Sequence, residues 1–188
     1  MKLKKLFVLA LAGVMALALL TGCGDKLGDK SDDTLRAEAL ADIINVRYGK
    51  NITCEADPQL SEAAEKYTHV RSEDGNTLLI NRLTVGNYNA CGPQPLEALL
   101  KTIGIAPNTA NKQVIFYNGA YRGSDDPVKQ AIDLCNNYRL VLPEPDGNTW
   151  HKPGFLASSY RVGFGRWTDE NHIPRLFVIM VGDIPGRS

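Results

Sequence analysis

The chain has 188 residues, with 21 basic and 21 acidic side chains. A formally neutral chain has no basic surplus with which to hold a phosphate backbone, which argues against nucleic acid as a partner. Removing the signal-like start leaves roughly 150 residues for a folded unit, enough for one domain with a real core.

The first five residues, Met1-Lys2-Leu3-Lys4-Lys5, are basic, and Leu6 to Leu20 is uncharged and almost wholly apolar. That run is short for a membrane span and has the layout of a secretory signal. It ends in Leu20-Thr21-Gly22-Cys23, which resembles a bacterial lipobox. The resemblance implies a signal peptide over residues 1–22, cleavage before Cys23, and acylation (palmitate among the chains) of Cys23. Several acyl chains on one residue hold a protein firmly on a bilayer. The expected location is therefore the bacterial cell envelope, lipid-anchored on the extracytoplasmic side. Lys2, Lys4 and Lys5 leave with the signal, so 18 basic face 21 acidic residues, a formal charge of −3. Gly24 to Asp33 is polar and Gly-rich, so residues 23–33 read as the lipidated Cys and a flexible tether, and 34–188 as the domain. Three cysteines remain, Cys54, Cys91 and Cys135. Outside the cytoplasm one disulfide among them is permitted, and spacing does not choose the pair.

Thr34 to Tyr48 is predicted helical, with Asp32, Asp33 or Thr34 as its cap and Gly49 as its stop. Leu35, Ala39, Ile43 and Val46 recur on one face, with Leu40 and Ile44 beside them. Leu60 to Tyr67 is a second, shorter helix, followed by the polar turn Arg71 to Asn76. Pro93 to Ile103 is helical, with Leu96, Leu99, Leu100 and Ile103 as its apolar stripe. Gln113 to Tyr117 reads as a strand. Asp125-Asp126-Pro127 opens a further helix that buries Val128, Ala131, Ile132 and Cys135. Leu142 to Gly154, rich in Pro and Gly, reads as loop. The last stretch, Ser159 to Gly182, is a hairpin. Tyr160, Val162 and Phe164 alternate with Arg161, Gly163 and Gly165. Two glycines on one face predict close approach of another element there. Leu176 to Val181 is apolar at every position, as in a strand covered on both faces. The expected fold is α/β: a three-layer α-β-α sandwich around a small, mostly antiparallel central sheet.

Four stretches, in this order, resemble the CAP/SCP family of cysteine-rich secretory, antigen 5 and pathogenesis-related 1 proteins. They are Ile44 to Gly49 with Asp57 to Ala64; Tyr67-Thr68-His69-Val70-Arg71-Ser72-Glu73-Asp74-Gly75; Leu99 to Ile105 with Thr109 to Val114; and Tyr160-Arg161-Val162-Gly163-Phe164-Gly165 with the apolar final strand. The resemblance spans most of Thr34 to Gly182 and implies an α-β-α sandwich. Family members with a complete cavity carry two His and two acidic residues that suit a divalent metal. His69 matches the first His. Lys112 stands where the family has the Glu of Gly-Glu-Asn-Ile, and Leu134-Cys135-Asn136-Asn137-Tyr138 offers no second His. His151 could replace it only if its loop folds back. The ligand set looks broken, so no metal and no cofactor are expected.

The cavity candidates are thus His69, Lys112 and His151, with no catalytic residue assigned. Each has a plain structural alternative. His69 can be a helix-end His, Lys112 a surface Lys, and His151 and His172 loop residues. Trp167 can be core rim, and Asp125 and Asp126 a helix cap. The function that follows is a non-enzymatic binding module for a protein or small ligand. The alternatives are a peptidase-like hydrolase using His69, and a lipid or sterol carrier, which the family also allows.

Overall fold

The computed structural model describes residues 30–82, 85–88, 94–106, 111–121, 123–137 and 154–186. Asp32–Ser188 forms one compact unit. Its helices are α1 (Asp32–Tyr48), α2 (Pro58–Thr68), α3 (Gln94–Thr102) and α4 (Pro127–Asn137), and its strands are β1 (Thr53–Ala56), β2 (Val85–Tyr88), β3 (Lys112–Ala120), β4 (Ser159–Thr168) and β5 (Pro174–Asp183). The sheet order is β1-β4-β5-β3-β2. Only β1 and β4 pair in parallel; the other three pairings are antiparallel.

The hairpin lies where its pattern places it. β5 is hydrogen-bonded on both sides, to β4 and β3, and Leu176 to Val181 is buried throughout. Two apolar clusters flank it. One gathers Tyr160, Val162, Phe164, Val178 and Met180 with Leu40 and Ile44 of α1 and Leu134 and Cys135 of α4. The other gathers Phe177, Ile179, Val114 and Phe116 with Leu60 and Tyr67 of α2 and Leu96 and Leu100 of α3. The expected three-layer α/β sandwich is the observed fold.

Gly163 and Gly165 are where α2 meets the sheet. A Cβ on Gly163 would lie 2.1 Å from the carbonyl carbon of Leu60, and one on Gly165 would lie 2.6 Å from that of Ala64. The helix backbone thus rests directly on the strand backbone, which only residues without a side chain allow.

Other expectations need correction. α1 starts at Asp32, and it buries Arg36, Ala37, Leu40, Ala41, Ile43 and Ile44, while Val46 is 50% exposed. The buried face is rotated and widened because α1 is covered by both α4 and the strands. α2 begins at Pro58, because the Asp57 side chain accepts from the amides of Gln59 and Leu60. β3 extends beyond Gln113–Tyr117 at both ends. Strands β1 and β2 were not anticipated. At four residues each, they are too short to show a period. β1 is instead set by its neighbours: Asn45 accepts from the Ile52 amide at 2.7 Å and donates to the Ile52 carbonyl at 2.8 Å. That clasp, with Gly49 at φ +60, turns the chain from α1 into β1. Cys54 and Cys135 are free, buried thiols, each packed by its own element into the first cluster. Cys23, Cys91, His151 and most of Leu142 to Gly154 lie outside the described residues.

Candidate functional site

The end of α2 and the turn after it form a surface feature closed by its own hydrogen bonds. α2 closes with the Thr68 hydroxyl donating to the Glu65 carbonyl at 2.7 Å and the amides of His69 and Val70 returning to Lys66 and Tyr67. The chain then doubles back: Arg71 bridges Leu78, the Ser72 amide donates to Thr77 O at 2.7 Å, and the Leu79 amide donates to Val70 O at 2.8 Å. The tip is held by Asp74, whose carboxylate accepts from the Ser72 hydroxyl and from the Asn76 amide. Gly75 at φ +72 permits the reversal at no steric cost.

This turn is fastened to the sheet through a buried amide. Asn118 of β3 donates to the Ile80 carbonyl at 3.0 Å and accepts from the Trp167 indole at 3.2 Å. Arg175 lies over the same indole at 5.8 Å. Between the turn and the start of α3 lies an open groove of about 620 Å³, lined by Arg71, Ser72, Glu73, Asp74, Leu79 and Pro95. Its rim carries one guanidinium, one hydroxyl and two carboxylates, and its apolar part is Leu79 and Pro95. Such a mixed lining suits a polar, extended ligand that also offers an apolar group.

His69 stands beside this groove and outside its lining. Its side chain is 70% exposed, and Nε2 is 3.7 Å from Oε1 of Glu65. Lys112 is elsewhere. Leu60 sits over Gly163 and Ala64 over Gly165, so α2 runs along β4 and delivers His69 to the hairpin-tip end of the sheet. Lys112 pairs with Asp183, next to the Tyr160–Gly182 register at the other end. At ~3.3 Å per strand residue the two are roughly 25 Å apart. Lys112 also has a structural partner, the Asp183 carboxylate. The sequence candidates His69 and Lys112 therefore do not share a cavity.

The remaining chemistry-bearing residues have structural duties. Asp126 caps α4, accepting from the amides of Val128 and Lys129. Asp169 accepts from the amides of Ile173 and Asn171 and from Arg175 Nε. These contacts, the Ile173 amide first, hold its carboxyl below the usual aspartate range, while desolvation acts the other way. His172 sits at the hairpin tip with φ 60. Burial, with weaker electrostatic contributions from the other buried thiol and from Asp42, pushes the Cys54 thiol up to about 12. Burial pushes Cys135 to about 12 as well, against the pull of Arg47. Among the described residues, no three His, Cys, Asp or Glu side chains gather as a metal site would need. In the sequence, Arg71 to Asn76 reads as a polar turn, and Arg71 to Gly75 belongs to a stretch that resembles the CAP/SCP family; neither points to a groove. The groove requires Pro95 and Leu79 to come together, and no local pattern carries that. Comparison with family models, with curated proteins and with solved structures returned no match.

Proposed function

We propose that this chain is a CAP/SCP-like domain, lipid-anchored through Cys23 on the extracytoplasmic side of a bacterial envelope. In this reading it acts as a non-enzymatic binding module, and the groove beside residues 71–79 is its recognition surface. The groove carries the proposal. It is presented by a turn that is closed on itself and tied to β3 through Asn118, so its shape is set before a partner arrives, which lowers the entropic cost of binding. The CAP/SCP assignment is supported by the order of the quoted motifs and by α2 lying on the glycine face of the closing hairpin.

The hydrolase alternative rests on His69 and Glu65. Both side chains are more than half exposed, and the other carboxylate oxygen of Glu65 already accepts from the Arg166 amide at 2.9 Å. That pair is better explained as a helix end fastened to a strand edge.

A photo-crosslinking residue at Ser72 tests the proposal in the intact envelope. It is expected to capture a discrete partner that the same probe at Glu38 on α1 does not, and Leu79→Trp, which fills the groove, abolishes the adduct. Equal capture from both positions, or capture insensitive to Leu79→Trp, overturns it. Retention of the same adduct in His69→Ala separates binding at the groove from any role of the imidazole.

A further inference from the structure

The least ordinary residue in the domain is Arg36. Its side chain is 1% exposed, and the residue is more deeply buried than Asp133 or Asp169, the other buried charged residues among those described. A guanidinium is withdrawn from water only at high cost unless it is paired and hydrogen-bonded. Here Nη1 donates to Asp33 Oδ1 at 2.7 Å and Nε donates to Gln130 Oε1 at 2.7 Å. Nη2 is buried without a hydrogen bond, 3.5 Å from the carboxylate of Asp32.

The contacts continue outward from these partners. The second oxygen of Asp33 accepts from the Ser61 hydroxyl of α2 at 2.8 Å. That hydroxyl accepts from the Phe164 amide of β4 at 3.1 Å. On the other side, Gln130 of α4 donates from Nε2 to the Ser124 carbonyl at 2.6 Å. Asp33 is thus joined to the sheet through α2 and, through Arg36, to α4. These helices lie in the two outer layers of the sandwich.

All of this is gathered at the first turn of α1, where the compact unit Asp32–Ser188 begins. Ordinary capping of a first turn needs one side-chain acceptor on a free amide. A buried cation, two acidic residues, a bond across to α2 on the other face and a bond to α4 in the same layer exceed that need. They suit a place where tension enters the fold. A pull that reaches the first turn of α1 is passed by Asp33 to Ser61 and the sheet instead of peeling α1 from its amino end.

We infer that the Asp33–Arg36–Ser61–Gln130 network is a mechanical clasp that secures the domain against tension transmitted along the tether. The inference rests on the proposed lipid anchor for the source of that tension. The clasp itself is measured independently of lipid.

The test is single-molecule pulling on the mature, unacylated chain between its amino-terminal end and Ser188. Asp33→Ala is compared with a remote core variant, Ile105→Val or Ile105→Ala, chosen to match its loss in thermal midpoint. Asp33→Ala loses two hydrogen bonds, from Arg36 Nη1 and from the Ser61 hydroxyl, and is expected to make the first opening event at least about fivefold faster at a given tension, the effect of one such bond. The matched core variant should leave that first event unchanged. Ser61→Ala is expected to reproduce part of the effect, and Asp33→Asn, which keeps an acceptor for Ser61, a smaller part than Asp33→Ala. If Asp33→Ala and the matched variant open alike, the network is ordinary stabilisation and the clasp is refuted. The mass of the amino-terminal peptide from cells reports acylation of Cys23 separately, so failure of the anchor and failure of the clasp are distinguishable.

Discussion

Replacing Gly163 by Ala adds one methyl group where the helix and strand backbones already touch. The new Cβ would lie 2.1 Å from Leu60 C, 2.4 Å from Leu60 O and 2.4 Å from Ser61 N. All three atoms are backbone, so no rotamer change relieves the clash. α2 must retreat by at least about 1.3 Å before the shortest approach reaches ordinary contact near 3.4 Å. That retreat loosens Leu60 in its cluster and stretches the Ser61 bond to the Phe164 amide. Overpacking of this kind costs ~1–3 kcal/mol, occasionally more, and a weakened, partly buried hydrogen bond adds ~1 kcal/mol. Relief of the glycine's chain entropy returns only ~0.5–1 kcal/mol. The expected loss is therefore ~2 kcal/mol, or roughly 4–8 °C in thermal midpoint for a domain of this size. Gly165→Ala, whose closest approach is 2.6 Å, should cost less. Urea unfolding followed by circular dichroism measures both. A Gly163→Ala protein within ~0.5 kcal/mol of the parent, or one more stable than Gly165→Ala, would refute direct backbone packing of α2 on β4.

Asn118→Leu should cost ~2–3 kcal/mol, because it leaves the Ile80 carbonyl and the Trp167 indole without their buried partner; indole emission and urea midpoints report it, and an unchanged midpoint contradicts the role given to Asn118. Asp169 has a folded-state pKa below its unfolded value, so its contribution is present above the unfolded pKa of ~3.9. It is lost as pH falls through the folded value. The stability gap between the parent and Asp169→Asn should accordingly be full at pH 6 and close at the acid end of a pH 2–6 series. A gap that widens with acid has the wrong sign for this account. Cys54 and Cys135, buried and with thiol pKa values of about 12, should react with a disulfide reagent at pH 8 only once denaturant is added. Fast modification of both in the native protein would show that the first cluster opens readily. His69→Ala should change stability by less than ~0.5 kcal/mol, as expected for an exposed pair.

What was legible in the sequence is what repeats along it. The alternation from Tyr160 to Gly165 identifies a strand and, through its two glycines, the face on which a helix must lie. The unbroken apolar run from Leu176 to Val181 identifies the strand at the centre. Features decided by distant residues were not legible. α1 carries apolar residues at more positions than one stripe needs, so its periodicity alone admits a face containing Val46; packing against both α4 and the strands selects the face of Ala37, Leu40 and Ile44. Arg36 looks like a solvated helix residue until Gln130, 94 positions away, is brought beside it. His69 and Lys112 acquire a common site only through the family resemblance. The path of α2 along β4 separates them. The groove has the same origin, since Leu79 and Pro95 are neighbours only after α3 docks.

The placement of α2 follows from a defect in the sheet that β1 leaves behind. β1 pairs with β4 only from Ser159 to Val162, so the outer edge of β4 beyond Val162 presents backbone groups that no strand among the described residues meets. An unpaired strand edge either finds other partners or becomes a site of association. Here the partners come from α2 and its cap. The Asp57 amide donates to Val162 O at 2.8 Å, Ser61 accepts from the Phe164 amide, and Glu65 accepts from the Arg166 amide. Asp57, Ser61 and Glu65 recur every four residues, ~6 Å along the helix axis, and the edge groups they meet on Val162, Phe164 and Arg166 recur every two strand residues, ~6.6 Å. The two repeats agree closely enough over two steps for a helix to stand in for a strand. Close contact is the condition for short side chains such as Ser61 to reach, and Gly163 and Gly165 provide it. Those glycines, Ser61 and Glu65 are therefore parts of one solution to the edge, and Ser61 serves a second time as the bond between that edge and Asp33.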